Sequence, residues 1–186
     1  MKKGFLRGTL TLILLLGAVT CVQAENMILA GYGIDEKFTY SIAGEDETSD
    51  ITSAISLAYE YAVGGAGLEN GFGFQYQMPK NFTVEGEEIN FQNIPVYGVI
   101  ALGVAETEIT NTYLVGKLGY NYFKADLEEG LKAKGGLYYA FGLGMKIGPN
   151  FRTQMLYEVY NGEVSSDYMT MDVMNKVYSV KCGFAF

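Results

Sequence analysis

The sequence predicts an all-β chain: an eight-stranded antiparallel transmembrane β-barrel, wound as an up-and-down meander behind a cleaved signal peptide. Three observations predict it. The last run, Val177 to Phe186, puts Tyr178, Val180, Cys182, Phe184 and Phe186 on one side of a strand and Ser179, Lys181, Gly183 and Ala185 on the other, because side chains alternate with period two. About eight such alternating segments recur along the chain. Between them, short turns and longer acidic stretches alternate strictly, as in a barrel with tight turns at one rim and longer loops at the other.

The first element is the leader. Lys2, Lys3 and Arg7 form a basic head, Leu10 to Val19 an apolar stretch, and Val22-Gln23-Ala24 a small-residue cleavage site. A cut between Ala24 and Glu25 leaves residues 1–24 as signal peptide and 25–186 as one barrel domain. The apolar stretch is about half the roughly 20 residues that a spanning helix needs. Cys21 raises lipid attachment as another reading, but Ala18 and Thr20 fit a lipoprotein cleavage box poorly. Cleavage removes three basic and no acidic residues, leaving 10 basic against 21 acidic, a formal charge of −11. Such a surface repels nucleic acid. Cys182 is then the remaining thiol, so no intrachain disulfide is possible.

The strand segments follow at about 27–42, 51–63, 68–78, 90–104, 112–123, 135–147, 151–162 and 173–186. Their phase repeats. In 135–147 the outward set is Leu137, Tyr139, Phe141, Leu143, Met145 and Ile147, against Gly136, Tyr138, Ala140, Gly142, Gly144 and Lys146. In 68–78 it is Phe72, Phe74, Tyr76 and Met78, against Glu69, Gln75 and Gln77. Each is close to the 9–11 residues of a tilted strand crossing hydrocarbon. Segment 27–42 is longer, so its later half should rise above the membrane. Pro95, which has no N–H for a ladder bond, predicts a bulge or a strand end.

The short breaks are Gly64 to Gly67, Ala105 to Asn111 and Gly148-Pro149-Asn150. The long acidic ones are Gly44 to Asp50, Pro79 to about Glu88, Lys124 to Lys134, and Glu163 to Asp172. Both chain ends then fall at the short-turn rim. Tyr59, Tyr61, Phe72, Phe151, Phe184 and Phe186 should form an aromatic girdle there, and Tyr120, Tyr122 and Tyr139 one at the other rim.

The candidate functional residues are charges on the inward phase: Asp35, Lys37, Glu60, Glu69, Lys117, Lys146, Arg152, Glu158 and Lys181. About eight strands leave an interior that side chains just fill, so these groups should pair and plug the lumen. A narrow or gated ion path is the alternative. Inward glycines, Gly142, Gly144 and Gly183 among them, should make room for the long side chains. The acidic loop residues Glu45, Asp46, Glu47, Asp50, Glu85, Glu87, Glu88, Asp126, Glu128 and Glu129 could hold divalent cations, but no ordered Ca²⁺-loop pattern is present and a solvated loop accounts for them. The chain has no histidine, which removes Ser–His and Cys–His nucleophile pairs and most zinc sites. No catalytic residue, metal ligand or cofactor site is predicted.

The leader, the run Tyr113-Leu114-Val115-Gly116-Lys117-Leu118-Gly119-Tyr120-Asn121-Tyr122 and the closing Gly183-Phe184-Ala185-Phe186 together give the chain a resemblance. It resembles the small bacterial outer-membrane β-barrel proteins of the OmpA-like transmembrane and opacity type. The resemblance implies an outer-membrane location, lipid as surroundings, and a C-terminal signal for the barrel-insertion machinery carried by Tyr178, Phe184 and Phe186. The function expected is non-enzymatic: a monomer supporting the envelope and presenting loops to an extracellular ligand. A small ion or solute channel is the runner-up, and a soluble lipocalin-like binding barrel the third reading.

Overall fold

The computed structural model describes residues 23–42, 45–65, 67–84, 87–127, 131–166 and 170–186. Of the predicted leader, residues 1–22 lie outside them. The described chain forms the strands β1 (Gln23–Ile42), β2 (Glu45–Asp50), β3 (Ile55–Gly65), β4 (Leu68–Gln77), β5 (Lys80–Val84), β6 (Glu87–Glu106), β7 (Thr110–Ala125), β8 (Lys132–Ile147), β9 (Phe151–Ser165) and β10 (Thr170–Ala185). β2 and β3 both pair with β1, and β4 and β5 both pair with β6. Each couple is therefore one stave interrupted by a break, and the ten segments make eight staves. Neighbours pair antiparallel in chain order. The ring closes between β1 and β10, from Met27↔Ala185 to Ser41↔Asp172, so the sheet has no open edge through the middle of the barrel, while above it β2 and β5 are each paired on one side among the described residues.

Alternation sorts the side chains into two surfaces. Outward lie Ile28, Leu57, Phe72, Phe74, Ile100, Leu118, Phe141, Met155 and Phe184, each about half exposed or more. In water such a continuous apolar belt would far exceed the few hundred Å² that soluble monomers expose; facing hydrocarbon it is the stable arrangement. Rings pair along the belt near the short-turn rim, Tyr61 with Phe72 at 5.4 Å and Phe151 with Phe184 at 5.7 Å. Tyr120 and Tyr122 lie 5.0 Å apart on β7, further toward the opposite rim.

Two sequence expectations change here. The acidic breaks are largely strand: Glu45–Asp50 is β2, Lys80–Val84 is β5, and β6 to β10 all run into stretches expected as loops. At that rim the inward side of β1, β6, β7, β9 and β10 is largely apolar, while Lys80 of β5 is buried and Ser49 and Glu47 of β2 share the side of Phe38 and Tyr40. Phe38, Tyr40, Phe91, Phe123, Val164 and Val173 form a buried cluster, with Ile51, Ile89, Leu127, Leu131 and Met171 packed against it. Acidic residues on the outer side conceal that second set. The asymmetry between the rims thus comes from strands prolonged on one side rather than from long loops.

The second change concerns phase. The β1–β10 register shifts between Gly33 and Asp35, one extra residue that turns every later side chain over. Before it Met27 and Leu29 are buried; after it Glu36, Phe38 and Tyr40 are. Pro95 marks another shift. β6 pairs continuously with β7 through Pro95↔Asn121, while on its other side the ladder stops at Phe74↔Val96 and resumes one register later at Lys80↔Phe91. Within β6 Pro95 is neither a bulge nor a strand end, since Phe91, Asn93, Pro95 and Tyr97 keep one inward phase; the extra residue lies in the facing stave at Met78-Pro79, and Pro95 stands at the resulting gap, where its missing N–H costs no ladder bond.

Candidate functional site

The interior charges fall into three tiers, each neutral. The middle tier is assembled by β3, β4, β6, β7, β8, β9 and β10. Lys117 donates to Glu60 at 2.5 Å and to Gln154 at 2.8 Å, and the Tyr97 hydroxyl donates to Glu60 at 2.8 Å. Alongside, Lys181 donates to Glu158 at 2.8 Å and to Gln75, while Tyr138 and Ser179 donate to Glu158 at 2.8 and 2.5 Å. Gln75 in turn donates to the Tyr160 hydroxyl at 2.8 Å. All four charged side chains are at most 1% exposed. A buried ion left alone costs several kcal/mol, so burial at this depth requires partners for each charge and for its remaining hydrogen-bonding capacity. The amides and tyrosine hydroxyls supply them.

At the short-turn rim Arg152 donates to Glu25 at 2.8 Å, and Lys146 pairs with Glu69 and, at 3.5 Å, with Glu25. Arg152 also donates to the carbonyls of Phe151 and Pro149, which anchors the 148–150 turn. This tier borders an open vestibule of about 870 Å³, lined by Glu69, Tyr113, Lys146, Arg152 and the 105–110 turn. Inward of it the free space shrinks to about 10 Å³ beside Glu60, Tyr113 and Gln154, room for about one water molecule at most.

Toward the prolonged rim, Lys80 of β5 pairs with Glu36 of β1, and Asn175 donates to Glu36 at 2.7 Å. Asn121 donates to Asn93 at 2.8 Å and Asn93 to Gln77 at 3.1 Å, across β7, β6 and β4. Beyond this layer the apolar cluster around Phe38 and Phe91 fills the barrel.

Glu60, Lys117, Glu158 and Lys181 therefore meet in the middle tier, and Glu69, Lys146 and Arg152 at the short-turn rim. Asp35 and Lys37 join neither. Both are exposed on the outer side, a correction that follows from the bulge between Gly33 and Asp35: a strict period-two reading carried past it assigns the wrong face. The same bulge turns Glu36 inward, and its partner Lys80 is hidden in a stretch whose composition is that of a loop. Glu25, which the sequence marks only as the residue after the cleavage site, is a third member that alternation misses. Of the three glycines expected to make room for side chains, Gly144 does so and Gly142 and Gly183 do not. A Cβ at Gly31 would press on Lys181 (2.9 Å) and one at Gly144 on the Tyr113 ring (2.2 Å), whereas at Gly142 and Gly183 it would strike backbone carbonyls of the next strand at 1.9 and 1.8 Å. The first two make room for side chains; the last two allow close strand approach.

Among the acidic residues, Glu85, Glu128 and Glu129 lie outside the described residues. Asp46 accepts a bond from Ser41, Glu47 from Tyr40, and Glu88 from Asn81 at 3.5 Å. Among the described residues no three acidic or thiol groups converge on a metal position. Tyr178, Phe184 and Phe186 all project outward and are more than half exposed, and Cys182 is exposed on the same side.

No protein-family model matches the chain, and no curated protein is similar to it in sequence. Solved structures are similar in fold. OprG from Pseudomonas aeruginosa, an outer-membrane protein, superposes over 87% of this chain and 93% of its own, with a TM-score of 0.60 at 14% identity. The fold is the small outer-membrane β-barrel. Ail, the attachment invasion locus protein of Yersinia pestis, solved with the heparin analogue sucrose octasulfate, has the same barrel over 88% of this chain and 99% of its own, with a TM-score of 0.53 at 19% identity. A further Ail structure gives a TM-score of 0.50 at 18% identity.

Proposed function

We propose that this chain is a non-enzymatic integral outer-membrane protein whose closed barrel strengthens the envelope and lifts a rigid, acidic surface above it. The observation that carries this reading is the interior, filled at successive levels by paired ions and then by an apolar core. Ions crossing it would meet two desolvating layers in series. Planar-bilayer recording of the refolded chain tests the reading: no steps above background are expected, from the wild type or from Arg152→Ala, which widens only the vestibule. Reproducible conductance altered by Arg152→Ala or Glu158→Ala would overturn the closed barrel.

The vestibule of about 870 Å³ favours a second reading. It leads to the Glu60–Lys117 pair, so a narrow ion path gated by exchange of partners within the middle tier is the alternative, and the same recording decides it. For partners, we propose membrane lipid around the belt, an extracellular ligand or divalent cations at the prolonged rim, and the insertion machinery during assembly. Tyr178, Phe184 and Phe186 form an outward aromatic row that the machinery could read before the barrel closes. Deleting Phe186 should lower the amount of folded barrel in cell envelopes several-fold while leaving refolding in detergent intact; equal envelope levels would reject that role.

A further inference from the structure

Lys37 and Lys176 are direct partners in the β1–β10 ladder, and both lie on the outer side, between the inward neighbours Glu36 and Phe38 on one strand and Asn175 and Val177 on the other. Partners so placed hold their Cβ atoms about 4.5–5.5 Å apart, and like charges there repel. Neither lysine has an ion-pair partner among the described residues. Asp35 stands diagonal to Lys176, and the backbone of Asp50 lies opposite Lys37 on β2. A sheet that sets two ammonium groups face to face is improved by an anion that accepts from both.

Their height on the wall identifies the anion's source. Below Lys37 the outward side of β1 is Ile34, Tyr32 and Ile28; below Lys176 that of β10 is Tyr178, Cys182 and Phe184, all exposed. The two lysines are thus the first cations above the apolar belt. Beneath them an aromatic row crosses the wall, Phe141 to Tyr157 at 5.4 Å and Tyr157 to Tyr178 at 5.0 Å. The other outward cations, Lys124, Lys132 and Lys134, also lie beyond the belt toward the prolonged rim. Lys134 is already paired with Glu163 at 3.4 Å. Every outward cation of residues 25–186 therefore belongs to one membrane interface, and the short-turn rim exposes Glu106 and Glu108 instead.

We propose that Lys37 and Lys176 form a clamp for the phosphate group of a lipid in the leaflet facing the prolonged rim, with the acyl chains lying along Tyr178, Tyr157 and Phe141. The site rests on the membrane reading above. A chain that fails to enter phosphatidylcholine vesicles would sink both, whereas failure of the clamp alone leaves insertion intact. The probe is bisphosphorylated lipid A, titrated against the refolded full chain and counted by native mass spectrometry, with heat-modifiable mobility as the check of folding. Lys37→Gln/Lys176→Gln should weaken binding about tenfold or more, since each lysine at such a surface contributes appreciably. Lys37→Arg/Lys176→Arg should preserve it, and Lys124→Gln/Lys132→Gln should change it less than about twofold. Lipid A stripped of both phosphates should bind the wild type at least about tenfold more weakly, an arm that needs no variant. Equal binding of the dephosphorylated lipid, an equal loss from Lys124→Gln/Lys132→Gln, or inorganic phosphate binding as tightly as the lipid would each overturn the clamp.

Discussion

The middle of the barrel and its prolonged rim are built from the same staves with the same alternation, yet their interiors differ: the middle sets buried ion pairs among apolar side chains such as Val99, Val115 and Leu156, whereas the rim core is apolar. In the middle, Glu60, Lys117, Glu158 and Lys181 are enclosed; at the rim, Phe38, Phe91, Phe123 and Val173 are. The outer surface inverts in step. Where the inside holds ion pairs, Leu118, Phe141 and Met155 point outward; where it is apolar, Lys37, Lys124 and Asp126 do. Each level is thus folded for its own solvent. The rim buries apolar groups away from water, as any soluble sheet does. The middle gains less by turning apolar groups inward when lipid lies outside, and adds to its apolar contacts the ion pairs and hydrogen bonds that cross the lumen.

The largest effect should come from unbalancing the middle tier. Lys181→Met keeps most of the side-chain volume but leaves Glu158 without its cation in a fully buried position, a change that costs about 3–5 kcal/mol. Glu158 would retain Tyr138 and Ser179 as donors but no cation bonded to it. Removing both charges, as Glu158→Leu/Lys181→Met, should cost less than the single change, because a paired ion couple and a packed apolar pair are often close in free energy. Urea unfolding in lipid vesicles measures both. If the single variant unfolds like the wild type, the tier is not a coupled network and its contrast with the rim disappears.

The same division governs how far the sequence can be read. Where one phase runs unbroken, as in β8 from Leu137 to Ile147 or β9 from Phe151 to Glu158, alternation identifies both faces, and it picks out the four charges of the middle tier, though not their partners Tyr97 and Tyr160. Reading fails where the phase changes. A bulge such as that between Gly33 and Asp35 is a backbone event without a compositional mark, so alternation places Asp35 and Lys37 inward and passes over Glu36. It fails again where strands leave the membrane. There the outward side becomes polar and acidic, a stretch such as Glu45 to Asp50 resembles a solvated loop, and its pairing with Lys37 to Ile42 is visible only in three dimensions. Which acid meets which base is a further step: Lys80 and Glu36 are 44 residues apart in sequence, and nothing local to either announces the other.

A smaller perturbation at the rim sharpens the comparison, because it asks whether the two levels unfold together. Val173→Ala removes two buried methyl groups, each worth about 0.8 kcal/mol, and leaves a small void, for a total of about 2 kcal/mol. β1, β6 and β10 run without interruption from one level into the other, which argues for a single cooperative unit. Against that, the bulge at Gly33 to Asp35 and the breaks at 51–54 and Met78-Pro79 all lie at the junction. The rim core is also held by a water-driven term that counts for less in the middle. The breaks should dominate. Amide exchange in Val173→Ala should accelerate about 30-fold at Phe38, Phe91 and Phe123, the factor that about 2 kcal/mol implies for local opening, and stay unchanged at Lys117, Glu158 and Lys181. Equal acceleration at both levels would mean that the continuous strands transmit the loss, and that barrel and rim are one folding unit despite their different interiors.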